Sequence, residues 1–293
     1  MLAGYFTATG ESTGGLLLLK NIKPIFWDYT IFLTMVMLGC TMGGGAILNQ
    51  IKDTATDRQN QKLFLIGDGF VAKSHAYIES ILLIVIGLSL SIYLSWHIFW
   101  ILLIAIFEAG YLYNFHPFSL KNYPIRGLFA NMAMGWFVFI IGWLLLQPFN
   151  VAMLIQSTPF ALFNTGLYLL TTLPDVPGDA QSGKITFPVR YGIENTFRAS
   201  LVLFALSLLA SILLSNGFMI LTLSVSLPAI IWAYFRKTVE SAVIALKMGI
   251  FFFSIGICVK FPPFFCMILL AFFLTRFYYK SRFGINYPNF KGA

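Results

Sequence analysis

Charged residues are scarce in this sequence. Asp, Glu, Lys and Arg make up 10% of the 293 residues, whereas hydrophobic residues make up 58%. Soluble domains usually carry about 25% charged residues, so this composition excludes an ordinary soluble enzyme. A mean hydropathy of +0.82 indicates a chain that lies mostly inside a lipid bilayer. Each remaining charge near the hydrocarbon is costly and therefore points to a function.

Cysteine and histidine are also scarce, with three residues of each type. The cysteines lie in or beside apolar runs, without metal-ligand spacing, and are expected to be packing residues: Cys40, Cys258 and Cys266. The histidines are widely spaced: His75, His97 and His116. The sequence therefore predicts no zinc site.

Long apolar runs, by contrast, are abundant. A transmembrane helix needs about 20 apolar residues, and runs of about that length recur along the whole chain. They cover residues 29–50, 76–95, 97–114, 126–147, 151–173, 199–215, 217–235, 241–258 and 262–279. The runs do not alternate, which argues against the strands of an outer-membrane barrel. We therefore predict an all-α protein, a polytopic membrane bundle of about nine transmembrane helices.

Most basic residues fall in alternate loops between these runs. The net charge is +8, but it forms no stripe or tail of the kind that binds nucleic acid, so no nucleic-acid partner is expected. By the positive-inside rule, the loops rich in Lys and Arg face the cytoplasm. The expected location is the cell inner or plasma membrane.

The 11 acidic residues include two pairs with the same spacing. Asp53 and Asp57 follow Asn49 at the end of the first run, and Asp175 and Asp179 follow the fifth run. An even number of membrane crossings separates the pairs, so both should open toward the cytoplasm. At helical pitch the first three residues share one stripe, whereas prolines should interrupt the helix at the second pair.

Four carboxylates at one mouth of a helical bundle repel one another unless cations neutralise them. Oxygen ligands suit Mg²⁺, which readily bridges to a substrate phosphate. Arg58, Lys184 and Arg190 follow the two motifs closely and are placed to hold phosphate oxygens. One such pair alone would more often be a solvated surface feature, but two pairs on one face predict a site for a magnesium-bound diphosphate.

These motifs resemble those of the UbiA-type superfamily of intramembrane prenyltransferases. The family's NxxxDxxxD motif is matched by Asn49, Asp53 and Asp57, and its second aspartate motif by the segment DVPGDAQSGK. The loop LYNFHPFSLK resembles a family loop that contains tyrosine and proline and ends in Leu-Lys. It differs where His116 and Ser119 stand.

The resemblance covers roughly residues 29–258 and implies a helical bundle around a central cavity. It implies transfer of a prenyl group from a polyprenyl diphosphate to an aromatic or lipid acceptor, by ionisation of the allylic diphosphate. Two Mg²⁺ ions are expected on the motif residues Asn49, Asp53, Asp57, Asp175 and Asp179. The residues expected to bind substrate are Asn49, Arg58, Lys121, Lys184, Arg190 and Asn131. The four aspartates and Tyr113 are expected to be catalytic.

Aromatic residues of the helices between the motifs are interpreted either as cavity wall, where their π faces would stabilise an allylic cation, or as ordinary packing. They are Trp136, Phe137, Phe139, Trp143 and Tyr168. We expect residues 1–293 to form a single membrane-embedded domain. Residues 1–28 are interpreted as the remnant of a first helix and residues 259–293 as an additional helix and tail.

Two other functions use carboxylates in membranes. CDP-alcohol phosphotransferases collect their aspartates in one compact segment, whereas this chain has two distant pairs. Cation-coupled transporters bind ions near the bilayer midplane, whereas these pairs lie at helix ends beside basic residues. The acceptor is open among quinone precursors, tetrapyrroles, isoprenoid glycerol lipids and carotenoids, with a weak leaning to the homogentisate and chlorophyll branch. The prenyl chain length and the oligomeric state are not predicted.

Overall fold

The computed structural model describes residues 1–10, 24–59, 65–67 and 69–288, without the side chains of residues 55–59. Within these ranges the elements of regular structure are helices, as predicted. They are α1 (Leu2–Ala8), α2 (Tyr29–Gln59), α3 (Lys73–Leu94), α4 (Trp96–Ile106), α5 (Pro124–Leu144), α6 (Val151–Thr171), α7 (Val176–Gln181), α8 (Phe187–Tyr191), α9 (Ile193–Leu213), α10 (Gly217–Arg236), α11 (Val239–Lys260) and α12 (Pro263–Phe283). Helix α4 continues as a π-helical segment, Phe107–Leu112, and a 3₁₀ turn covers Leu120–Asn122.

Seven helices of the described part of the chain are long and apolar enough to cross a membrane: α2, α3, α5, α9, α10, α11 and α12. The other two predicted spans are helical as well. Trp96–Leu112 is a shorter apolar helix, and α6 covers the remaining run. The prediction of an integral membrane protein is therefore confirmed, while the number nine stays a prediction.

Small polar residues lie inside the bundle, whereas large apolar residues cover its outside. The Ser200 hydroxyl of α9 donates to the Gly166 carbonyl oxygen of α6 at 2.9 Å, and the Ser207 hydroxyl donates to the Pro159 carbonyl oxygen at 2.7 Å. Both serines are fully buried. Lipid supplies no hydrophobic force between helices, so membrane helices associate through close packing and interhelical hydrogen bonds. Small polar residues such as these serines permit both.

The short helix α1 is buried against α5. A Cβ atom on Gly4 would overlap the carbonyl oxygen of Phe139, so only glycine permits this approach. Asp28 links α1 to the start of α2, because its carboxylate accepts hydrogen bonds from the Tyr5 hydroxyl (2.6 Å) and the Thr30 amide (2.8 Å). Burial alone would raise the pKa of Asp28, but the hydrogen bonds from Thr30 and Tyr5 lower it below its usual value.

The segments that carry the predicted motifs meet at one end of the bundle. Helix α2 extends past its apolar run to Gln59, so the first motif lies on a continuous helix. Helix α6 ends at Thr171 and α7 begins at Val176 with a proline in its first turn, so the second motif lies on a broken helix, as predicted. Helix α7 packs against α2 and α8, and α8 packs against α5.

Candidate active site

A polar cavity of about 490 Å³ lies where these segments meet. Predicted residues from four different segments line it: Asn49, Asp53, Tyr113, Lys121, Asn131, Asp175, Asp179 and Lys184. The wall also includes Tyr168, Thr171, Thr172 and Thr186. The fold thus brings the described members of both aspartate motifs into one space, although they are far apart in sequence.

The first motif is organised around the ammonium group of Lys121. Its Nζ donates to both carboxylate oxygens of Asp53, at 2.7 and 2.8 Å, and to Asn49 Oδ1 at 3.2 Å. The side chains of Lys121 and Asp53 are only 10% and 12% exposed. Both charges are largely withdrawn from water, so each depends on a nearby group of opposite charge.

The second motif is folded into a tight turn that reaches back to the first. Gly183 has φ +74°, a backbone conformation that other residues rarely adopt, and the next amide, that of Lys184, donates to the Asp179 carbonyl oxygen at 2.9 Å. The Lys184 ammonium then lies 3.2 Å from Asp53 Oδ1 and 4.0 Å from Asp179 Oδ1. Lys184 therefore bridges the two aspartate motifs.

Tyr113 is placed by the π-helical segment after α4. The Tyr113 amide donates to the Glu108 carbonyl oxygen at 2.8 Å, an i to i+5 bond that adds one residue to the turn and rotates the following side chains. The Tyr113 hydroxyl accepts from Asn131 Nδ2 at 3.4 Å and is hydrogen-bonded to Tyr168. Segments of this kind are frequent at functional sites.

A second, apolar cavity of about 300 Å³ lies next to the polar one. The two share Ala46, Asn49 and Tyr113 in their walls. The apolar cavity runs between α2, α4 and α5, and its wall includes buried residues distant from the motifs: Leu38, Leu102 and Ile141. Charged groups therefore line one of two neighbouring cavities, and mostly apolar side chains line the other.

One predicted site residue with a described side chain does not join this arrangement, and two others have side chains that the structure does not describe. Arg190 lies exposed on α8, outside the cavity wall. The side chains of Asp57 and Arg58 lie outside the described side chains, although both residues belong to α2. Their roles stay predictions.

Of the aromatic residues singled out in the sequence, Phe137 lines the apolar cavity and Tyr168 the polar one. Phe139 and Trp143 are buried in the helix core, and the Trp136 indole donates to Ser157. The sequence interpretation missed Asn114 and Thr186, both buried beside the site residues. Asn114 directly follows Tyr113, but its spacing to the aspartates carries no signal.

The oxygen atoms around Lys121 fit a divalent cation. Asn49 Oδ1 and both Asp53 oxygens converge on one positively charged atom, and such oxygens are the ligands that Mg²⁺ prefers. Asp175 and Asp179 add two carboxylates across the same cavity. Among the described side chains, no three of the types His, Cys, Asp and Glu converge into one cluster.

Residues 12–255 of the sequence match the UbiA prenyltransferase family, which is well over half of the chain. The chain belongs to this family. The resemblance carried by the two aspartate motifs is thereby confirmed. The family match ends within α11, before α12 begins.

Known relatives and solved structures of UbiA homologues agree with this assignment. The digeranylgeranylglyceryl phosphate synthase of Methanospirillum hungatei JF-1 is 29% identical over 196 residues, which are 64% of this chain and 65% of that relative's length. The apo structure of a UbiA homologue from Aeropyrum pernix K1 has a TM-score of 0.66 and 17% identity, over 88% of this chain and 95% of that one.

A UbiA homologue from Archaeoglobus fulgidus, solved with DMAPP and Mg²⁺ bound, has a TM-score of 0.60 and 17% identity. This similarity covers 88% of the present chain and 94% of that chain. At such low identity the solved structures show the UbiA fold alone. The all-helical membrane fold predicted from the sequence is therefore confirmed, and the chemistry must be argued from the cavity itself.

Proposed function

We propose that this protein transfers a prenyl group from a polyprenyl diphosphate to an isoprenoid glycerol lipid. The observation that carries the proposal is that two cavities share part of their walls. One is lined by residues of both aspartate motifs and two lysines, the other mostly by apolar side chains. A prenyl diphosphate has the same division into an anionic head and a hydrocarbon tail. The relative from M. hungatei is named for a lipid of this acceptor class.

The polar cavity supports the diphosphate. Asn49 and Asp53 would hold one Mg²⁺ ion and Asp175 and Asp179 a second, and the family resemblance adds Asp57 to the first set. Bound Mg²⁺ would neutralise the negative charge that develops on the leaving diphosphate. Support for a metal also comes from the A. fulgidus homologue, which was solved with Mg²⁺ and DMAPP.

Four basic residues serve the phosphate oxygens in this proposal. Lys121 and Lys184 stand inside the cavity, where a charge-assisted hydrogen bond is stronger than in water. Arg58 and Arg190 complete the set proposed from the sequence; of these two, Arg190 is exposed and outside the cavity wall.

Tyr113 stands at the junction of the two cavities, where the reacting carbon of the substrate would lie. The bond between this carbon and the diphosphate oxygen breaks, and the diphosphate leaves with the electron pair. The π face of Tyr113 stabilises the allylic cation until a hydroxyl oxygen of the acceptor bonds to it. That hydroxyl then releases its proton to water in the polar cavity.

The proposed orientation places the aspartate motifs on the cytoplasmic side of the inner or plasma membrane, in agreement with the positive-inside rule. Membership of the UbiA family weakens the phosphotransferase and transporter alternatives, because the family match includes both aspartate motifs. The earlier leaning toward aromatic acceptors of the homogentisate and chlorophyll branch also loses weight. The relative reported above is named for an isoprenoid lipid instead.

The test is a transfer assay with purified protein, Mg²⁺ and radiolabelled geranylgeranyl diphosphate. We expect label to move to geranylgeranylglyceryl phosphate. Asp53→Asn or Asp179→Asn should reduce transfer by at least about a hundredfold, since each removes a carboxylate that would hold the Mg²⁺ neutralising the leaving diphosphate. Glu194→Gln is the matched control, because this carboxylate is exposed and pairs with Arg198 and Lys237 outside the cavity.

Full activity of both aspartate variants would overturn the metal assignment. Transfer to an aromatic acceptor, with none to the glycerol lipid, would overturn the acceptor assignment and leave the prenyl donor in place.

A further inference from the structure

Asn114 is a buried amide whose orientation is fixed by the backbone. Its Nδ2 donates to the carbonyl oxygens of Ala109 at 2.8 Å and Gly110 at 3.3 Å, both of which belong to the π-helical segment. The side chain is 4% exposed. Because the amide nitrogen is engaged in this way, Oδ1 is left free to accept a hydrogen bond on the other side of the amide group.

The Asn114 Oδ1 atom accepts a hydrogen bond from Lys121 Nζ at 2.9 Å. An ammonium group has three donors and no acceptor. Among the described side chains that accept from Lys121 are those of Asn49, Asp53 and Asn114. Two of the three are proposed Mg²⁺ ligands, and Asn114 is not.

We propose that Asn114 is a positioning residue that anchors the Lys121 ammonium. When the Asn49 and Asp53 side chains bind a divalent cation, Lys121 leaves them and donates to an oxygen of the substrate diphosphate instead, while still held by Asn114. This inference rests on the proposed function. It adds that Lys121 serves as a tethered counter-ion for the first motif before the cation binds.

The exchange follows from charge. A carboxylate as buried as Asp53 needs a cation beside it, and Lys121 and Lys184 supply positive charge. When a divalent cation takes over this role, a lysine left beside it is repelled, and the Asn114 contact limits how far the ammonium can retreat. The anionic diphosphate is then the nearest compensating partner.

The first readout is divalent-cation affinity without diphosphate, with free Mn²⁺ measured by EPR. We expect Lys121→Met to bind Mn²⁺ at least about fivefold more tightly than wild type, because the competing ammonium is gone. A roughly fivefold change in affinity is at the lower end of typical coupling between two binding sites. Lys52→Met is the matched control. Lys52 is an exposed lysine of the same helix as Asp53, over the Phe115 ring and outside the cavity wall.

The second readout is binding of inorganic diphosphate in the presence of Mn²⁺, measured by calorimetry. We expect Lys121→Met to weaken it about tenfold or more, as removal of a charged hydrogen bond does. Asn114→Leu should weaken it by a smaller factor, yet have no further effect when combined with Lys121→Met. Asn114→Ser provides the same comparison with a smaller side chain if the leucine variant does not fold.

An unchanged or weaker Mn²⁺ affinity in Lys121→Met would overturn the exchange. Equal losses from the Asn114 substitution in both backgrounds would show that Asn114 acts on the backbone alone, which also overturns the proposal. Asp53→Asn separates this inference from the proposed function. If this variant binds Mn²⁺ as wild type does, the metal site itself is wrong, whereas loss of binding there, with no effect of Lys121→Met, rejects only the inference.

Discussion

Filling the apolar cavity should make the enzyme select against long prenyl chains. Gly45 lies in the cavity wall, and a Cβ atom there would meet nothing within 4 Å. Gly45 is eight residues before Asp53 on α2, which corresponds to about 12 Å along the helix axis. A leucine at this position therefore projects into the space proposed for the prenyl tail, well below the diphosphate.

The leucine side chain displaces about four carbon atoms of the tail. At about 0.8 kcal/mol for each buried methylene, the lost contact amounts to about 3 kcal/mol, or roughly a 150-fold increase in the KM for geranylgeranyl diphosphate. DMAPP is too short to reach Gly45, so it loses no methylene contact there. Its KM should therefore change by less than about threefold. Steady-state transfer assays with both donors measure the ratio.

The fold should tolerate this substitution. Glycine inside a helix is less stable than an ordinary helix former by about 0.8 kcal/mol, so a loss of activity would not reflect unfolding. Gly39→Leu is the matched control, because Gly39 also lies on α2 with open space around its Cβ position but is exposed and outside the cavity wall. If Gly45→Leu left the ratio of the two KM values unchanged, the prenyl tail would not occupy this cavity.

Two further predictions concern the tyrosine and the helix contacts. Tyr113→Leu should lower kcat by about tenfold or more because it removes a desolvated π face, whereas Tyr113→Phe should retain most of kcat. Equal losses of kcat in steady-state assays of the two variants would contradict a role of the ring. Ser207→Ala should cost only about 0.6 kcal/mol for its interhelical hydrogen bond. Gly142→Val should lower the melting temperature in detergent far more than Ser207→Ala does, since any Cβ at Gly142 overlaps the Met1 carbonyl oxygen. Similar melting temperatures of the two variants would refute this close packing of α1 on α5.

Hydropathy alone located the helices, because in a bilayer the apolar runs are the spans. It did not locate their ends. The first apolar run ends near residue 50, whereas helix α2 continues to Gln59 through the polar motif segment, since a helix satisfies its own backbone whether or not its side chains are apolar. The π-helical segment at 107–112 was also unpredicted, because a single shifted hydrogen bond leaves no periodicity in the sequence.

The aspartate motifs could be predicted because their spacing matches helical pitch and charges are rare. The partners of those motifs could not be predicted in the same way. Lys121 and Asp53 are 68 positions apart, and their contact depends on how the loop before α5 folds over α2. Asn114 escaped notice because its role depends on hydrogen bonds to carbonyl oxygens of the π-helical segment, which the sequence does not display.

The central claim is that the two aspartate motifs hold metal ions beside the diphosphate while the prenyl tail fills the apolar cavity. A crystal structure with Mn²⁺ and a non-hydrolysable geranylgeranyl thiodiphosphate tests it directly. The account predicts anomalous peaks about 2.1 Å from oxygens of Asp53 and Asp179, with the hydrocarbon between α2, α4 and α5. Anomalous peaks away from both motifs, or a tail lying outside the apolar cavity, would contradict it.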